Sequence, residues 1–269
     1  MSERSGRGEE VPSETVRDLV ARTHAREGSA IVAPDRATDY SARAFATGVR
    51  KAANLFSHYG VGPDRPLAVA VGPKDPADGT EAGRLGTAAD PLLAILGGMV
   101  LGAPVDPDPG PAPTGTTLDV RALVVPTPWL DRYEVGPGTS VLAYGDPPEE
   151  PNVGQFERER WSENPTAPPE PLEPGRAAMR VGDSRFSHAD LVGAAEAAIA
   201  ASDLRGAAQV RVAAPIDSPE VFVTGILVPL LAEVPIRPAP ASQVADAETG
   251  VFAVSAGGDE RWMQTEPIR

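Results

Sequence analysis

Apolar residues recur at every third or fourth position from Phe45 to Tyr59, which is the spacing of one face of an α-helix. Ser41 stands in front of this run as an N-cap, and Gly60 follows it at the position where a left-handed residue ends a helix. The stretch LAVAV (67–71) comes next and has no polar position, so it predicts a buried strand.

A second helix is predicted over Asp90 to Gly102, DPLLAILGGMVLG. Asp90 is the expected N-cap, and Pro91 occupies the first helical position. The body of the segment is apolar on every side, which is typical of a helix buried between layers rather than one at the surface. The stretch APVD then begins another strand.

The same order of elements occurs twice. DYSARAF corresponds to RFSHADL, LAVAV to VRVAA, DPLLAIL to SPEVFVT, and GAPVDP to EVPIRP. Each copy predicts alternating strands and helices with parallel pairing and right-handed crossovers. The fold class is therefore α/β, with two pseudo-repeated lobes and mostly parallel sheets. We place the first lobe at residues 1–145, an extended linker rich in proline and acids at 146–176, and a second, incomplete lobe at 177–269.

Charge and composition narrow the classes of function. The net charge of −14 argues against nucleic acid as a partner. With 38 acidic residues and only two lysines, Lys51 and Lys74, the surface suits a halophilic cell interior; an arginine-biased, GC-rich genome is the alternative. The absence of cysteine excludes disulfides and thiol nucleophiles. The polar start and the short longest apolar run predict a soluble, cytoplasmic protein with no membrane contact.

The first half resembles the opening of the AMP-forming acyl-CoA synthetases, in the adenylate-forming ligase superfamily. YGVGPDRPLAVAV is similar to the family's GVxPGDRVAV, and LLAILGGMVLGAPVDP is similar to its LLAxLxAGAxxVPLDP. In the second half, HADLV resembles the helix start that follows the family's phosphate loop, and Ser187 and Asp190 have the spacing of a capping box at this start. The resemblance implies the fold of the N-terminal region of these ligases, which itself contains two pseudo-symmetric α/β lobes.

The phosphate loop of that family is not found. Members carry TSGTTGxPKG, whose backbone N–H groups, hydroxyls and lysine hold ATP phosphates. Here RVGDSR (Arg180 to Arg185) stands in its place, with one glycine, one hydroxyl and no lysine. PTGTTLDV (113–120) shares three letters with the motif but precedes a strand, so we interpret it as a proline-rich loop. The chain also ends before the family's second carboxylate motif, ribose-binding aspartate and catalytic lysine. We expect a pseudoenzyme that does not adenylate alone.

Four residues after a predicted strand are candidates for nucleotide binding, namely Ser255, Gly257, Gly258 and Asp259. They lie in FAVSAGGDERW, which resembles the family's SGGAPL segment at the adenine pocket. The helix that should precede this segment is missing, however, so we favour the interpretation of a terminal loop.

No catalytic residue is predicted. His24 and His58 lie near helix ends, and His188 follows an N-cap, where an exposed polar residue is ordinary; no nucleophile motif accompanies any of them. Asp106 and Asp108 are spaced like metal ligands, but both are flanked by prolines. We therefore expect a solvated loop there and no metal site.

Two further predictions concern single residue types. Lys74, one of two lysines, either meets an anionic ligand or lies in a loop. The tryptophans are predicted to anchor loops on the core, and they are Trp129, Trp161 and Trp262.

Three hypotheses for function remain open. The first is a degenerate ligase-like protein that binds a nucleotide, an acyl or CoA ligand, or a protein partner. The second is one half of a split acyl-CoA ligase completed by another chain, and the third is a purely structural interaction module. ATP, AMP or CoA is implied only by the resemblance, and the cofactor is otherwise unknown. We expect a homodimer or a separate partner to cover the face on which a complete ligase packs its remaining elements.

Overall fold

A computed structural model describes residues 14–32, 39–74, 82–86, 88–107, 109–110, 117–201, 204, 206–239, 250–263 and 268. Within these ranges the strands are β1 (Ser29–Ile31), β2 (Tyr40–Ser41), β3 (Leu67–Val69), β4 (Val105–Pro107), β5 (Ala122–Pro126), β6 (Ser140–Tyr144), β7 (Val153–Gln155), β8 (Ala177–Val181), β9 (Ser184–Ser187), β10 (Ala207–Val212), β11 (Ile236–Pro238), β12 (Val251–Ser255) and β13 (Glu260–Trp262).

The α-helices are α1 (Val16–Ala25), α2 (Ala42–His58), α3 (Asp90–Leu101), α4 (Phe156–Ser162), α5 (His188–Ala201), α6 (Pro219–Phe222) and α7 (Val228–Leu231). A π-helical stretch, Val223–Leu227, joins α6 to α7, and a 3-10 helix, Thr127–Arg132, follows β5. In the part of the chain given above, no helix is long and apolar enough to cross a membrane.

The strands form two sheets, and the predicted α/β class with largely parallel sheets is confirmed. A seven-stranded sheet has the order β7-β6-β5-β3-β4-β8-β9 and is parallel except for the hairpin β8–β9. A six-stranded sheet has the order β13-β12-β10-β11-β1-β2. Its central strands β10, β11 and β1 are parallel, while β2, β12 and β13 run antiparallel to their neighbours.

Each sheet takes strands from both halves of the chain. The hairpin β1–β2 joins the six-stranded sheet through β11, where Ile31 pairs with Ile236. In return, the hairpin β8–β9 joins the seven-stranded sheet through β4, where Val105 pairs with Met179. The repeat is thus a hairpin, a helix, a strand, a helix and a strand, and the two copies exchange their hairpins. Because each sheet contains strands from both halves, the boundaries that we placed at residues 145 and 177 do not separate the two sheets.

Helices pack between the two sheets. α2 contacts β1, β2 and α3, while α3 contacts β3 and β4. As predicted, α3 is buried on all sides, with only Leu101 partly exposed. Gly97 lets α2 and α3 approach closely, since a Cβ atom there would lie 2.6 Å from the Cβ of Ala52. The core therefore lies in this helix layer and on the sheet faces that enclose it.

Local capping follows the sequence at most helix starts. Ser41 accepts a hydrogen bond from Ala44 N–H at 3.1 Å, and Ser187 and Asp190 form the predicted capping box of α5. The prediction for Asp90 was wrong. It is the first residue of α3 rather than its N-cap, because its carboxylate is held by Lys74 and Arg160 instead of by backbone N–H groups.

The segment predicted as an extended linker contains β7 and α4. The ring of Phe156 stacks on Phe56 of α2, with centroids 5.9 Å apart. Asn54 of α2 donates hydrogen bonds to Thr166, one of them to Oγ1 at 3.0 Å. Parts of this segment are therefore a fixed layer on α2, because the apolar surface of Phe156 has a partner about 100 residues away.

The three tryptophans behave differently from one another. Trp129 is buried and anchors the 3-10 helix on the seven-stranded sheet, as predicted. Trp161 and Trp262 do not anchor loops, since they are 77% and 60% exposed. Both belong to regular elements, α4 and the edge strand β13, whose geometry points these side chains away from the core.

Candidate functional site

The hairpin β8–β9 turns at the carboxyl end of β8, which is parallel to β4, and open α/β sheets bind ligands at this end of their strands. Its ladder continues to the pair Val181 and Ser184, so only Gly182 and Asp183 lie outside it. Gly182 has a φ of 57°, a left-handed conformation that suits a two-residue hairpin turn. A phosphate-binding loop needs several successive N–H groups in a concave arrangement, and this turn is too short to form one.

The topological switch point of the same sheet lies between β3 and β5. The chain leaves β3 towards α3, in the main core, whereas it leaves β5 towards the 3-10 helix on the opposite face. Ligands in such folds bind in the crevice opened by these two diverging connections.

Two aromatic side chains fill the switch point here. The indole of Trp129 lies against Gly72, where an added Cβ atom would be 2.4 Å from the ring. The Tyr144 hydroxyl accepts a hydrogen bond from Gly72 N–H at 2.9 Å and lies 3.0 Å from the carbonyl oxygens of Ala70 and Gly72. Both aromatic side chains are buried. The strand ends are therefore tied together by the protein's own groups.

Beside the switch point lies a charge cluster made of Lys74, Asp90, Glu157 and Arg160. Lys74 Nζ is 2.5 Å from Asp90 Oδ2 and 3.7 Å from Glu157 Oε1. Arg160 lies 3.2 Å from Asp90 Oδ1. The sequence left open whether Lys74 meets an anionic ligand or lies in a loop. In the structure two carboxylates of the protein itself, those of Asp90 and Glu157, hold this lysine.

The charge cluster is balanced, with two cations facing two carboxylates. Gly145 N–H also donates to Glu157 Oε1 at 2.8 Å. Burial, and after it the Asp90 carboxylate, raises the pKa of Glu157. The cluster joins the loop after β3, the start of α3 and the helix α4, so it anchors these elements to one another.

The four predicted nucleotide-binding residues form the turn between β12 and β13. Ser255 N–H donates to the Asp259 carbonyl at 2.9 Å, and Asp259 N–H donates to Ser255 Oγ at 3.1 Å. Gly258 has a φ of 91° and donates its N–H to the Ser255 carbonyl. The loop is thus a hairpin turn, and β13 is a strand that the sequence did not predict.

A cavity of about 320 Å³ opens beside this turn. Ser255 and Asp259 line it, together with Gly206, Ala207, Ala253, Glu260 and Arg261. Arg211 holds Glu260 through two hydrogen bonds of 2.8 and 2.6 Å. The structure therefore brings two of the four predicted residues to a cavity of mixed charge, while Gly257 and Gly258 are not among its lining.

The three histidines have different surroundings. His58 is exposed and is 3.1 Å from Glu163 Oε1, and burial followed by Arg50 and Arg43 lowers the pKa of His24. The expectation of an exposed His188 was wrong. Its side chain is fully buried, because it faces the start of α1 rather than solvent.

Asp106 pairs with Arg180 of the neighbouring strand at 3.6 Å, and burial raises its pKa. Asp108 and the first half of the proline-rich loop, residues 113–116, lie outside the described residues.

Sequence reasoning missed Glu157 and Arg160 because they lie in a stretch interpreted as linker. Phe156 and Arg160 are four positions apart on α4, and only the fold shows that both are buried.

No protein-family model and no curated protein sequence matches the chain. Solved structures do match. An anthranilate CoA ligase, AuaEII, in complex with anthranoyl-AMP, has a TM-score of 0.64 and 14% identity, covering 84% of this chain and 45% of the ligase. A benzoate CoA ligase from Burkholderia xenovorans LB400 has a TM-score of 0.63 and 18% identity, covering 87% and 47%.

A shorter structure is similar as well. The N-terminal subdomain of NpsA from Klebsiella oxytoca, in complex with anthranilyl-AMSN, has a TM-score of 0.59 and 12% identity, covering 87% of this chain and 54% of that one. The chain thus spans about half the length of these proteins. It has the fold of the N-terminal part of adenylate-forming ligases, as the sequence resemblance implies.

Proposed function

We propose that this protein is a ligase-fold binding protein that does not form acyl adenylates by itself. The observation that carries the proposal is the two-residue turn at Gly182 and Asp183, where the resemblance places the phosphate loop. Without that loop, the β and γ phosphates of ATP have no ring of N–H donors at this edge of the sheet.

Two neighbouring features support the proposal. Trp129 and Tyr144 occupy the switch-point crevice that an open sheet offers to a ligand. Lys74 and Arg160, in the charge cluster beside this crevice, are matched by Asp90 and Glu157, so a phosphate would have to compete with these carboxylates for them.

Binding is the role that remains for such a fold. The cavity beside Ser255 and Asp259 offers a site for a small polar ligand. The indoles of Trp161 and Trp262 are exposed apolar rings of the kind that protein partners cover. The cavity is the first candidate site for a nucleotide, CoA or acyl-CoA. The two indoles are the first candidate contacts for a second copy of the chain or for a separate protein partner.

ATP–pyrophosphate exchange in high KCl, with a panel of carboxylates, tests the first part of the proposal. We expect no exchange above a protein-free blank, and exchange with any carboxylate would overturn the proposal. Thermal melts with Mg-ATP, AMP, CoA and an acyl-CoA test binding, because a ligand at 100 times its Kd adds about 2.7 kcal/mol of stability.

The Asp259→Asn variant locates any such binding. A melting shift that disappears in this variant, but persists in Asp183→Asn at the other hairpin, would place the ligand in the cavity. If no ligand shifts the melt, light scattering in high KCl decides whether the protein forms a homodimer.

In the split-ligase alternative, a second chain would supply the elements by which the similar ligases extend beyond their match to this chain. The short turn counts against it. A second chain cannot insert a loop between β8 and β9, because this chain supplies both strands and their connection. The alternative predicts exchange activity only after a complementing chain is added.

A further inference from the structure

His188 connects two helices at their first turns. It begins α5, its side chain is 0% exposed, and its Nδ1 accepts a hydrogen bond from Val16 N–H at 3.3 Å. Val16 begins α1, and the first N–H groups of a helix have no acceptor within the helix itself. The imidazole therefore completes the N-terminal cap of α1, to which Thr15 and Asp18 contribute the local capping box.

That hydrogen bond fixes the protonation state of the ring. Because Nδ1 accepts, it carries a lone pair, and the ring proton is on Nε2. Nε2 is buried and has no hydrogen-bond partner in the described part of the chain. A proton added at Nδ1 would set two donors, Nδ1–H and Val16 N–H, against each other, so this bond exists only with the neutral ring.

Charged groups around the ring also oppose a second proton. Burial is the largest cause and, with Arg17 on α1 and Arg176 ahead of β8, lowers the pKa of His188 to about 4, while Asp18 offsets part of the effect. The carboxylate of Asp190, on the same helix as the ring, already accepts two hydrogen bonds from Ser187 in the cap of α5. The positive ends of α1 and α5 both face the imidazole as well.

We propose that His188 is an acid-sensitive latch for α1: when its Nδ1 is protonated, the first turn of α1 detaches from α5. The apolar face of α1, made of Val16, Leu19 and Val20, then leaves the core that it shares with α2 and α7. Arg17, which donates to the Val100 carbonyl at 2.9 Å, does not titrate in this range and resists the detachment.

The direction of the pH effect follows from the two protonation states. His188 binds the proton less tightly while α1 is attached than after α1 has detached, so the latch is at full strength above the ordinary pKa of 6.5 and is weakened as the pH falls towards 4. With these two values, the equilibrium constant for detachment rises roughly 20-fold between pH 7 and pH 5.

Hydrogen exchange of the full chain at pH 7 and pH 5, corrected for the intrinsic pH dependence of exchange, tests the latch. We expect the protection of α1 amides to fall by roughly 20-fold, while α2 and α3 keep theirs. Unchanged protection of α1 would overturn the proposal.

Two variants separate His188 from the other titrating groups. In His188→Asn, Oδ1 still accepts from Val16 N–H but cannot be protonated, so α1 should keep its protection at pH 5. His24→Asn, on α1 itself, should respond like the wild type. Equal loss of protection in His188→Asn would overturn the latch. If that variant does not fold, imidazole NMR of the wild type decides, since His188 must titrate in step with the α1 amides.

Discussion

The two copies of the repeat each contain one crossover helix, α3 in the first and the α6–α7 segment in the second. Both carry a proline in the first turn and end with the same backbone bond. Ala103 N–H donates to the Gly98 carbonyl at 3.0 Å, and Val234 N–H donates to the Pro229 carbonyl at 2.9 Å. This agreement shows that the ends of the unit are set by local sequence.

The starts and middles of these helices differ. Asp90 opens α3 from within the charge cluster, whereas Ser218 caps α6 by accepting a hydrogen bond from Val221 N–H at 3.2 Å. α3 is regular and touches α2 closely at Gly97, whereas the second crossover contains a π-helical stretch. The start of α3 is therefore held by contacts distant in sequence, whereas the start of α6 is capped by a residue next to it in sequence.

The largest expected effect on stability concerns the starts of α3 and α6. Asp90→Asn leaves Lys74 and Arg160 with Glu157 as their remaining carboxylate in the cluster, and breaking a buried ion pair costs about 3–5 kcal/mol. The corresponding change in the second copy, Ser218→Ala, should cost about 1 kcal/mol. Urea unfolding measures both values, and equal losses would show that the two starts are held in the same way.

A smaller effect is expected in the middle of the helices. Gly97→Ala places its Cβ 2.6 Å from the Cβ of Ala52 and must push α2 and α3 apart, at a cost of about 1–3 kcal/mol.

Gly225→Ala is the matched control in the second copy. Its Cβ would lie 3.2 and 3.3 Å from the two methyl groups of Val212, which is a milder overlap than the one at Gly97. We expect this variant to lose less stability than Gly97→Ala in the same urea experiment. A destabilised Gly225→Ala beside a neutral Gly97→Ala would reverse our assignment of the tight contact.

The same contrast explains how far the sequence could predict the structure. The caps at Ser41 and Ser187, the left-handed glycines and the repeated order of elements are local signals, and they were predicted correctly. The partners of Asp90 come from positions 74 and 160, and those of Phe156 from α2, so no local pattern could show them.

The sequence pattern also failed to predict β13, the burial of His188 and the filling of the switch point. β13, with the residues Glu260–Trp262, has no alternation of apolar and polar positions, because all three are exposed on an edge strand. His188 looks like an exposed residue of a first helical turn until α1 is placed against it. In the candidate site, the short turn at Gly182 could be read from the sequence, whereas the filling of the switch point by Trp129 and Tyr144 required the fold.

The smallest predicted effect concerns the residue just after each crossover helix. Gly102 has a φ of 90°, while its counterpart Glu233 has a φ of 60°, where a side chain is strained by about 1 kcal/mol. Glu233→Gly should therefore stabilise the protein by up to about 1 kcal/mol, and Gly102→Ala should destabilise it by a similar amount. Loss of the Arg22–Glu233 contact matters little, since its atoms are 4.0 Å apart and partly exposed. Thermal melts of the two single variants measure the effect, and a change of the same sign in both would contradict the equivalence of these helix ends.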